Sequence, residues 1–371
     1  MKFLLSLTAF TLSFSAFAFV ENSTKGYPNC MACHVAPTGG GLLNDYGRSL
    51  SQEMMSTFNL GEKFAKPYYG LVSNTEHVTY GGQYRHIQVQ VENDQIDQKK
   101  QFDMQDNFEF GFKYKKAFLV GTVGTQEGPN STEDKDEFLS ERHYLMYQPD
   151  ETSFVRVGKF RQHFGINHPN HTRYVKSDLG FGSYSETYNL DMTQFFEWGE
   201  MNISSSVGAL DKDYATDDQR RNLVYNYTHY LEGESRLGFG LLHGRSKSYK
   251  RSIINLNYVS SLFKKLTLRL ETDYVQKQKI TDNTLNNQLD GLYGDYQLEY
   301  LVTQGLRPYV FVQHAQENLD DYTTLKSAPG LGFKWRIISH LEFQGEYYQQ
   351  TNHSNDQAKT HISYIMVHLY H

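Results

Sequence analysis

The sequence predicts an all-β fold, an antiparallel transmembrane β-barrel of about sixteen strands. Three observations predict it. Long stretches alternate between apolar and polar residues with period two. The chain is polar on average, with a mean hydropathy of −0.62, yet it holds 28 Tyr and 24 Phe among 371 residues. The inferred strands are joined alternately by tight turns and longer polar loops. A membrane barrel places apolar residues at every second position and joins its strands by short turns on one side and longer loops on the other. A soluble sandwich or lipocalin-type barrel would need fewer strands and more buried Leu and Val per residue. The aromatic content excludes a disordered chain. A formal charge of −6 argues against general nucleic-acid binding.

The alternation is clearest in four stretches. Over 101–114, Phe102, Met104, Phe108, Phe110, Phe112 and Tyr114 point one way, and Asp103, Gln105, Asn107, Glu109 and Lys113 the other. Over 83–91, Ile87, Val89 and Val91 oppose His86, Gln88 and Gln90. Leu266, Leu268 and Leu270 oppose Thr267, Arg269, Glu271 and Asp273, and Leu292, Tyr296, Leu298 and Tyr300 oppose Asp295, Gln297 and Glu299. Such runs predict strands near 77–92, 102–115, 117–127, 137–148, 152–163, 185–198, 200–211, 220–231, 235–246, 250–262, 265–280, 288–303, 306–318, 325–339, 341–352 and 359–371. The number is even, as in bacterial single-chain barrels. Tight connections follow the even-numbered strands, among them Lys115-Lys116 before the third, Trp198-Gly199 and Gln304-Gly305. This parity puts the N-terminal segment on the periplasmic side.

Residues 1–18 read as an export signal. Lys2 precedes an apolar stretch from Phe3 to Phe14, and Ala16-Phe17-Ala18 is an A-x-A cleavage site. No cysteine follows that site, which disfavours a lipid anchor, and no later apolar run approaches the twenty residues of a membrane helix. The expected organisation is 1–18 signal, 19–65 a small soluble segment and 66–371 the barrel.

The small segment contains Cys30-Met31-Ala32-Cys33-His34, and these are the only two cysteines of the chain. C-x-x-C-H is the attachment motif of a c-type haem. Its chemistry needs two thiols to bond the haem vinyl groups and the adjacent imidazole to bind the iron. The reading predicts one covalent haem c held by Cys30 and Cys33, with His34 as proximal ligand. A redox dithiol would want a βαβ context, and a zinc site a second ligand pair. Neither is present, and no cysteine remains for a disulfide framework. A helix is predicted from Leu42 to Phe58, with Leu43, Tyr46, Leu50, Met54 and Phe58 at helical spacing. A segment this short cannot bury a haem alone, so the barrel is expected to complete the pocket.

The residues leave the sixth iron position open. Met54 or Met55 on the predicted helix is one candidate. His86, with His77 nearby, is the rival, because the alternation turns His86 toward the lumen. A five-coordinate iron, as in a peroxidase-like or sensor haem, is the third. The carbonyl of Pro37 is a candidate acceptor for His34 Nδ1. The longest loop, about 162–184, carries His163, His168 and His171 within nine residues. They could bind a metal ion. Alternatively the loop folds into the pore as a constriction, with Arg161, Arg173 and Lys176 setting a positive field. The lumen-facing acids Asp103, Glu109, Glu271, Asp295, Glu299, Glu342 and Glu346 read as solvated barrel lining. No G-x-S-x-G, P-loop or dinucleotide fingerprint occurs, and no catalytic residue is assigned.

An exported CxxCH segment followed by x-x-P-x-G-G-x-L-N-x-x-G and a barrel of about sixteen strands resembles the fused outer-membrane cytochrome–porins. The best-known members are iron-oxidising proteins of Gram-negative bacteria. The matching residues are Cys30, Cys33, His34, Pro37, Leu43, Asn44 and Gly47. The resemblance implies a barrel around the haem and electrons entering from outside. The lead-in Lys25-Gly26-Tyr27-Pro28-Asn29 and the shorter barrel depart from the iron-oxidising type. The expected function is therefore stated broadly: electron transfer between an extracellular donor or acceptor, such as a metal ion or mineral, and a periplasmic redox protein. The reading favours an electron carrier over an oxidoreductase of extracellular metal or iron, and leaves both open, in a protein embedded in outer-membrane lipid. The alternative is a porin-type channel whose haem segment is a plug or redox gate.

Overall fold

The computed structural model describes residues 29–127, 139–182, 184–210, 220–232, 234–263, 265–281, 284–354 and 358–371. The expected export signal over 1–18, the lead-in residues 25–28 and the start of the predicted fourth strand lie outside the described residues. Sixteen strands follow one another: β1 (Val78–Glu92), β2 (Asp97–Tyr114), β3 (Ala117–Gln126), β4 (His143–Tyr147), β5 (Ser153–Phe160), β6 (Thr187–Phe196), β7 (Gly199–Gly208) and β8 (Arg221–Leu231), then β9 (Ser235–Arg245), β10 (Tyr249–Leu262), β11 (Leu266–Thr281), β12 (Thr284–Tyr300), β13 (Leu306–Gln316), β14 (Leu325–Ile338), β15 (Leu341–Asn352) and β16 (Lys359–Tyr370). Each pairs antiparallel with its chain neighbours, and β16 returns to β1 from Gln83↔Tyr370 to Glu92↔His361. The sheet is a closed barrel, with the strand count and order the periodicity predicts. The main boundary difference is β4, five residues long rather than twelve.

Polarity is inverted relative to a soluble protein. On β11, Thr267, Arg269, Glu271 and Asp273 are buried, facing the lumen. On β2, Asn107 and Glu109 are buried while Phe108, Phe110 and Phe112 are exposed, as are Leu190, Met192, Leu223, Leu241, Leu256, Val310 and Val312 elsewhere on the wall. An apolar belt this extensive around a closed sheet is the surface a bilayer covers.

The β1–β2 pair departs from the simple alternation. The register slips between Arg85 and His86, so that Arg85 faces Gln105 and His86 faces Asp103, with Met104 as the extra residue. A bulge of this kind turns two consecutive side chains the same way, and Met104 and Gln105 both line the lumen. Beyond it Phe102 is buried and Asp103 exposed. The predicted faces of Phe102, Met104 and Asp103 are therefore reversed.

The loop between β5 and β6, 161–186, folds into the barrel. Its helix α2 (Tyr174–Ser177) puts Tyr174 and Val175, with Phe164, Leu179 and Phe181, into a buried cluster with Val224, Leu242, Ile253, Val275, Tyr293, Ala315 and Ala328 of the wall. Ionic contacts fix it there. Arg173 donates to Glu346 at 2.7 Å and lies 3.6 Å from Asp295, with its guanidinium stacked over Phe311 at 3.7 Å. Lys176 donates to Glu271 at 3.1 Å. The acids expected to be solvated lining are instead buried, apart from Asp103. Glu271, Asp295 and Glu346 meet Lys176 and Arg173 of the inserted loop, whereas Glu299 pairs with Arg307 of the wall.

The N-terminal segment closes the other side of the lumen. The predicted helix is shorter than expected: α1 covers Asp45–Leu50, widens into a π-helical turn over Ser51–Met55, and ends at Ser56, whose backbone is extended. The chain is drawn off because Thr57 and Phe58 N–H donate to the Arg336 and Ile337 carbonyls at 2.9 Å each. Thr57 Oγ1 also donates to the carbonyl of Gln304, in the β12–β13 turn, at 2.9 Å. Ser51 contacts the Tyr370 hydroxyl at 3.1 Å, and Tyr68 donates to the Gly81 carbonyl at 2.6 Å. The segment thus sits among the short turns and strand ends of the barrel.

Removing one partner of a buried ion pair strands the other charge, at a cost of about 3–5 kcal/mol. Arg173→Ala is expected to loosen the loop. The check is limited proteolysis of the folded barrel: new cleavage within 161–186 is expected, and an unchanged pattern would show that the ion pair does not hold the loop.

Candidate functional site

The site grows from the CMACH turn. Cys30–Ala32 forms one 3-10 turn, with Cys33 and His34 N–H donating to the Cys30 carbonyl at 3.2 and 3.0 Å. Asn44 organises the surroundings. Its amide donates to the Met31 and Ala32 carbonyls at 3.0 and 3.1 Å, and its Oδ1 accepts from Gly47 N–H at 2.8 Å, capping α1. Its own N–H donates to the Cys33 carbonyl at 2.9 Å. Gly47 is needed because the helix crosses directly over Cys33, where a Cβ would collide with the Cys33 carbonyl. Gly39 takes φ +79°, and a Cβ there would come within 2.9 Å of Cys30 Sγ. The spaced Gly, Asn and Gly residues that accompany CMACH therefore shape the backbone around its cysteines.

This turn is inside the barrel. Cys33 and His34 line a lumen cavity of about 330 Å³, within the range of small-molecule and cofactor pockets. Its floor is the segment, including Gly39, Gly40, Gly41, Leu43 and Met55. Its roof is the inserted loop, with Arg161, His163, Asn167, His168 and His171. Its walls include Arg85, Gln105, Arg142, Tyr144, Phe160, Glu342 and His368. Roof and floor touch: Asn167 donates to the Thr38 carbonyl at 2.7 Å. Arg156, paired with Asp191 at 2.9 Å, donates to Thr38 Oγ1 at 2.9 Å.

Cys30 and Cys33 are free thiols. Burial pushes both up to about 12, with nearby Glu200 adding to the rise at Cys30. His34 is held neutral, its imidazole lowered to about 4 by burial and then by Arg142. His34 Nδ1 lies 3.3 Å from the Gly41 carbonyl, so Gly41 and not Pro37 is the backbone acceptor. A proton on Nδ1 leaves the lone pair on Nε2, the form a metal requires.

The other expected residues separate. Met55 lines the cavity and packs beside Cys33 and Leu43, whereas Met54 is exposed. His86 is not a lumen residue. Gln83 and Arg85 line the cavity, so the strand turns His86 to the other face, where it meets Asp103 at 2.6 Å and Gln101 at 2.7 Å. His77 is exposed beside Phe112. The three loop histidines do not converge, and among the described residues no three His, Cys, Asp or Glu side chains form a metal-binding group. His168 accepts from Asn170 N–H at 2.9 Å and faces Asp295 at 3.7 Å. His163 and His171 make no ring hydrogen bond among the described residues. Burial lowers each to about 3, assisted by Lys176 and Arg236 at His163 and by Arg161 and Arg85 at His171.

Cys33 and the neutral His34 imidazole line this cavity and Cys30 lines an adjoining crevice; two thiols and an imidazole are the donor set of a covalent haem. The cations Arg85, Arg142 and Arg161 would meet its carboxylates. Arg85 Nε and Arg161 Nε are sealed without a hydrogen-bond partner, so the fit rests on unsatisfied donors as well as on the motif. Of these, the sequence marks only Arg161, as part of the loop's positive field; it does not single out Arg85 or Arg142. Alternating position on a strand marks them as lumen-facing, but nothing in a single sequence marks which lumen cations share one cavity.

No family model matches the chain, and no curated protein matches it in sequence. Solved structures do match in shape. The outer membrane channel DcaP of Acinetobacter baumannii superposes with a TM-score of 0.61 at 12% identity, over 79% of this chain and 97% of that one. OprB of Pseudomonas putida gives 0.61 at 7% identity, over 80% and 94%. The anion-selective porin from Comamonas acidovorans gives 0.59 at 9% identity, over 79% and 99%. At these identities the likeness is one of fold: the chain is a porin-like barrel.

Gly47→Val is expected to lift α1 off Cys33, which is 2% exposed. In haem-free protein, thiol labelling at Cys33 should accelerate at least tenfold. Equal labelling rates in variant and parent would rule out this packing as what shields Cys33.

Proposed function

We propose that the chain is an outer-membrane electron carrier, a porin-like barrel holding one covalent haem c in its lumen. It would pass electrons between an extracellular donor or acceptor and a periplasmic redox protein. The observation that carries the reading is the position of the CMACH turn, enclosed by the barrel and roofed by the inserted loop rather than hanging outside on a tether. The haem supplies one-electron chemistry. The chain's own residues do the rest. Cys30 and Cys33 anchor, Gly41 orients His34, and Arg85, Arg142 and Arg161 offset carboxylate charge. Phe160, Tyr144 and Leu43 exclude water. Short turns face the periplasm in barrels of this type, which would put the segment on that side, within reach of a soluble partner. Placement within the lumen matters because the apolar band is about 25 Å tall, and a centre outside the barrel would leave that whole span to be crossed.

A second reading has support of its own. The similar structures include a channel and an anion-selective porin, which favours a channel whose segment is a plug or redox gate. Two measurements on one preparation separate the readings. For the carrier, protein in liposomes should exchange electrons with impermeant reagents on both faces, and planar bilayers should show little steady conductance. Haem that responds only from the short-turn side would sink the carrier. A large steady conductance that persists in Cys30→Ala/Cys33→Ala would establish the channel.

A further inference from the structure

The roof of the cavity carries imidazoles that neither the fold nor the attachment motif uses. We propose that His171, on the inserted loop, is the second axial ligand of the iron, opposite His34; this rests on the haem reading above. A second ligand must come from across the cavity, because the floor already supplies the thiols and the first imidazole. Met55 fails this condition, since it packs on the floor beside Cys33. His168 Nδ1 accepts from Asn170 N–H, and its Nε2 is sealed 3.7 Å from Asp295. His163 also lines the crevice holding Cys30 and Pro37, on the attachment side. His368 lines the wall, but its Nε2 is sealed without access. His171 remains. It lines the cavity from above, makes no hydrogen bond among the described residues, and stands among Arg161 and Arg85, two cations of the same cavity.

The consequence is a mechanical link. The loop would be tied to the segment through the iron as well as through Asn167 and Thr38. Loss of that bond on reduction or ligand exchange would free the loop's tip without disturbing its base at Arg173 and Lys176.

The test uses the full-length, haem-loaded protein in detergent, read by absorption and low-temperature electron paramagnetic resonance. The parent is expected to be low-spin with two imidazole ligands and, when reduced, not to bind carbon monoxide. His171→Ala should turn high-spin and bind carbon monoxide. His171→Met, which keeps six ligands, should stay low-spin with a raised potential and so guards against a merely misfolded alanine variant. His163→Ala and His368→Ala should match the parent. A His171→Ala protein with the parent's low-spin spectrum and no carbon monoxide binding overturns the proposal, as does a parent that is high-spin or shows methionine ligation. A parent carrying no covalent haem overturns the carrier reading itself, and is told apart by the pyridine haemochrome assay.

Discussion

Closure of the sheet is the constraint on which everything else depends. In a bilayer no backbone N–H or C=O can be left without a partner, and the pairing of β16 with β1 meets that demand. Closure fixes which face meets lipid, and the period of two then sends every other residue into the lumen. Those inward residues are charged, with Arg156, Asp191, Arg269, Glu271, Asp295, Glu299, Arg307 and Glu346 all buried. A lumen lined this way is stable only if its charges are solvated or paired. Part of the pairing is wall to wall, as in Arg307–Glu299 at 2.7 Å. The rest comes from inserted chain, through Arg173 and Lys176 of the loop.

The same logic explains why so short a segment can hold a well-defined turn. Asn44 ties three backbone groups of the CMACH region and helix α1 together, but α1 is only six residues long, below the length at which a helix persists in water. The barrel supplies what the segment lacks. Arg48 is buried with donors on the Leu43 and Tyr80 carbonyls, and Thr57, Ser51 and Tyr68 are bound to strand ends and turns. Cavity, plug and wall are one packed unit.

Most of this architecture was legible in the sequence, because membrane barrels write their faces into alternate residues. All sixteen strands could be placed, as could the inserted loop's extent and the cysteine pair. What escaped had local causes. The face of His86 is misleading in the sequence because Ile87, Val89 and Val91 alternate with it and read as the lipid side, whereas Gln83 and Arg85 line the cavity and the extra residue Met104 reverses the faces of the partner strand. The helix after CMACH was overextended because helical spacing continued through Met54 and Phe58, while backbone bonds to Arg336 and Ile337 captured the chain at Thr57. The acids of the lumen looked solvated because a sequence cannot say which loop will cover them. Gly41 replaced Pro37 as the His34 acceptor for a similar reason: the three-glycine turn folds back on the ring, a distance no spacing rule reports.

The burial of Cys33 also bears on when the proposed haem could be attached. Cys33 is 2% exposed beneath α1 and Gly47, and burial raises its thiol, so a reagent arriving from outside would find little access and a weak nucleophile. On the haem reading proposed above, the bonds at CMACH would therefore form before the barrel closes around the segment. The strand that follows the segment, β1, is one side of the seam, and β16, the last to be made, is the other. A chain whose leader had missed its modification would still be able to seal that seam, and the omission would then be permanent. Quality control of a protein so modified would act on the unfolded precursor.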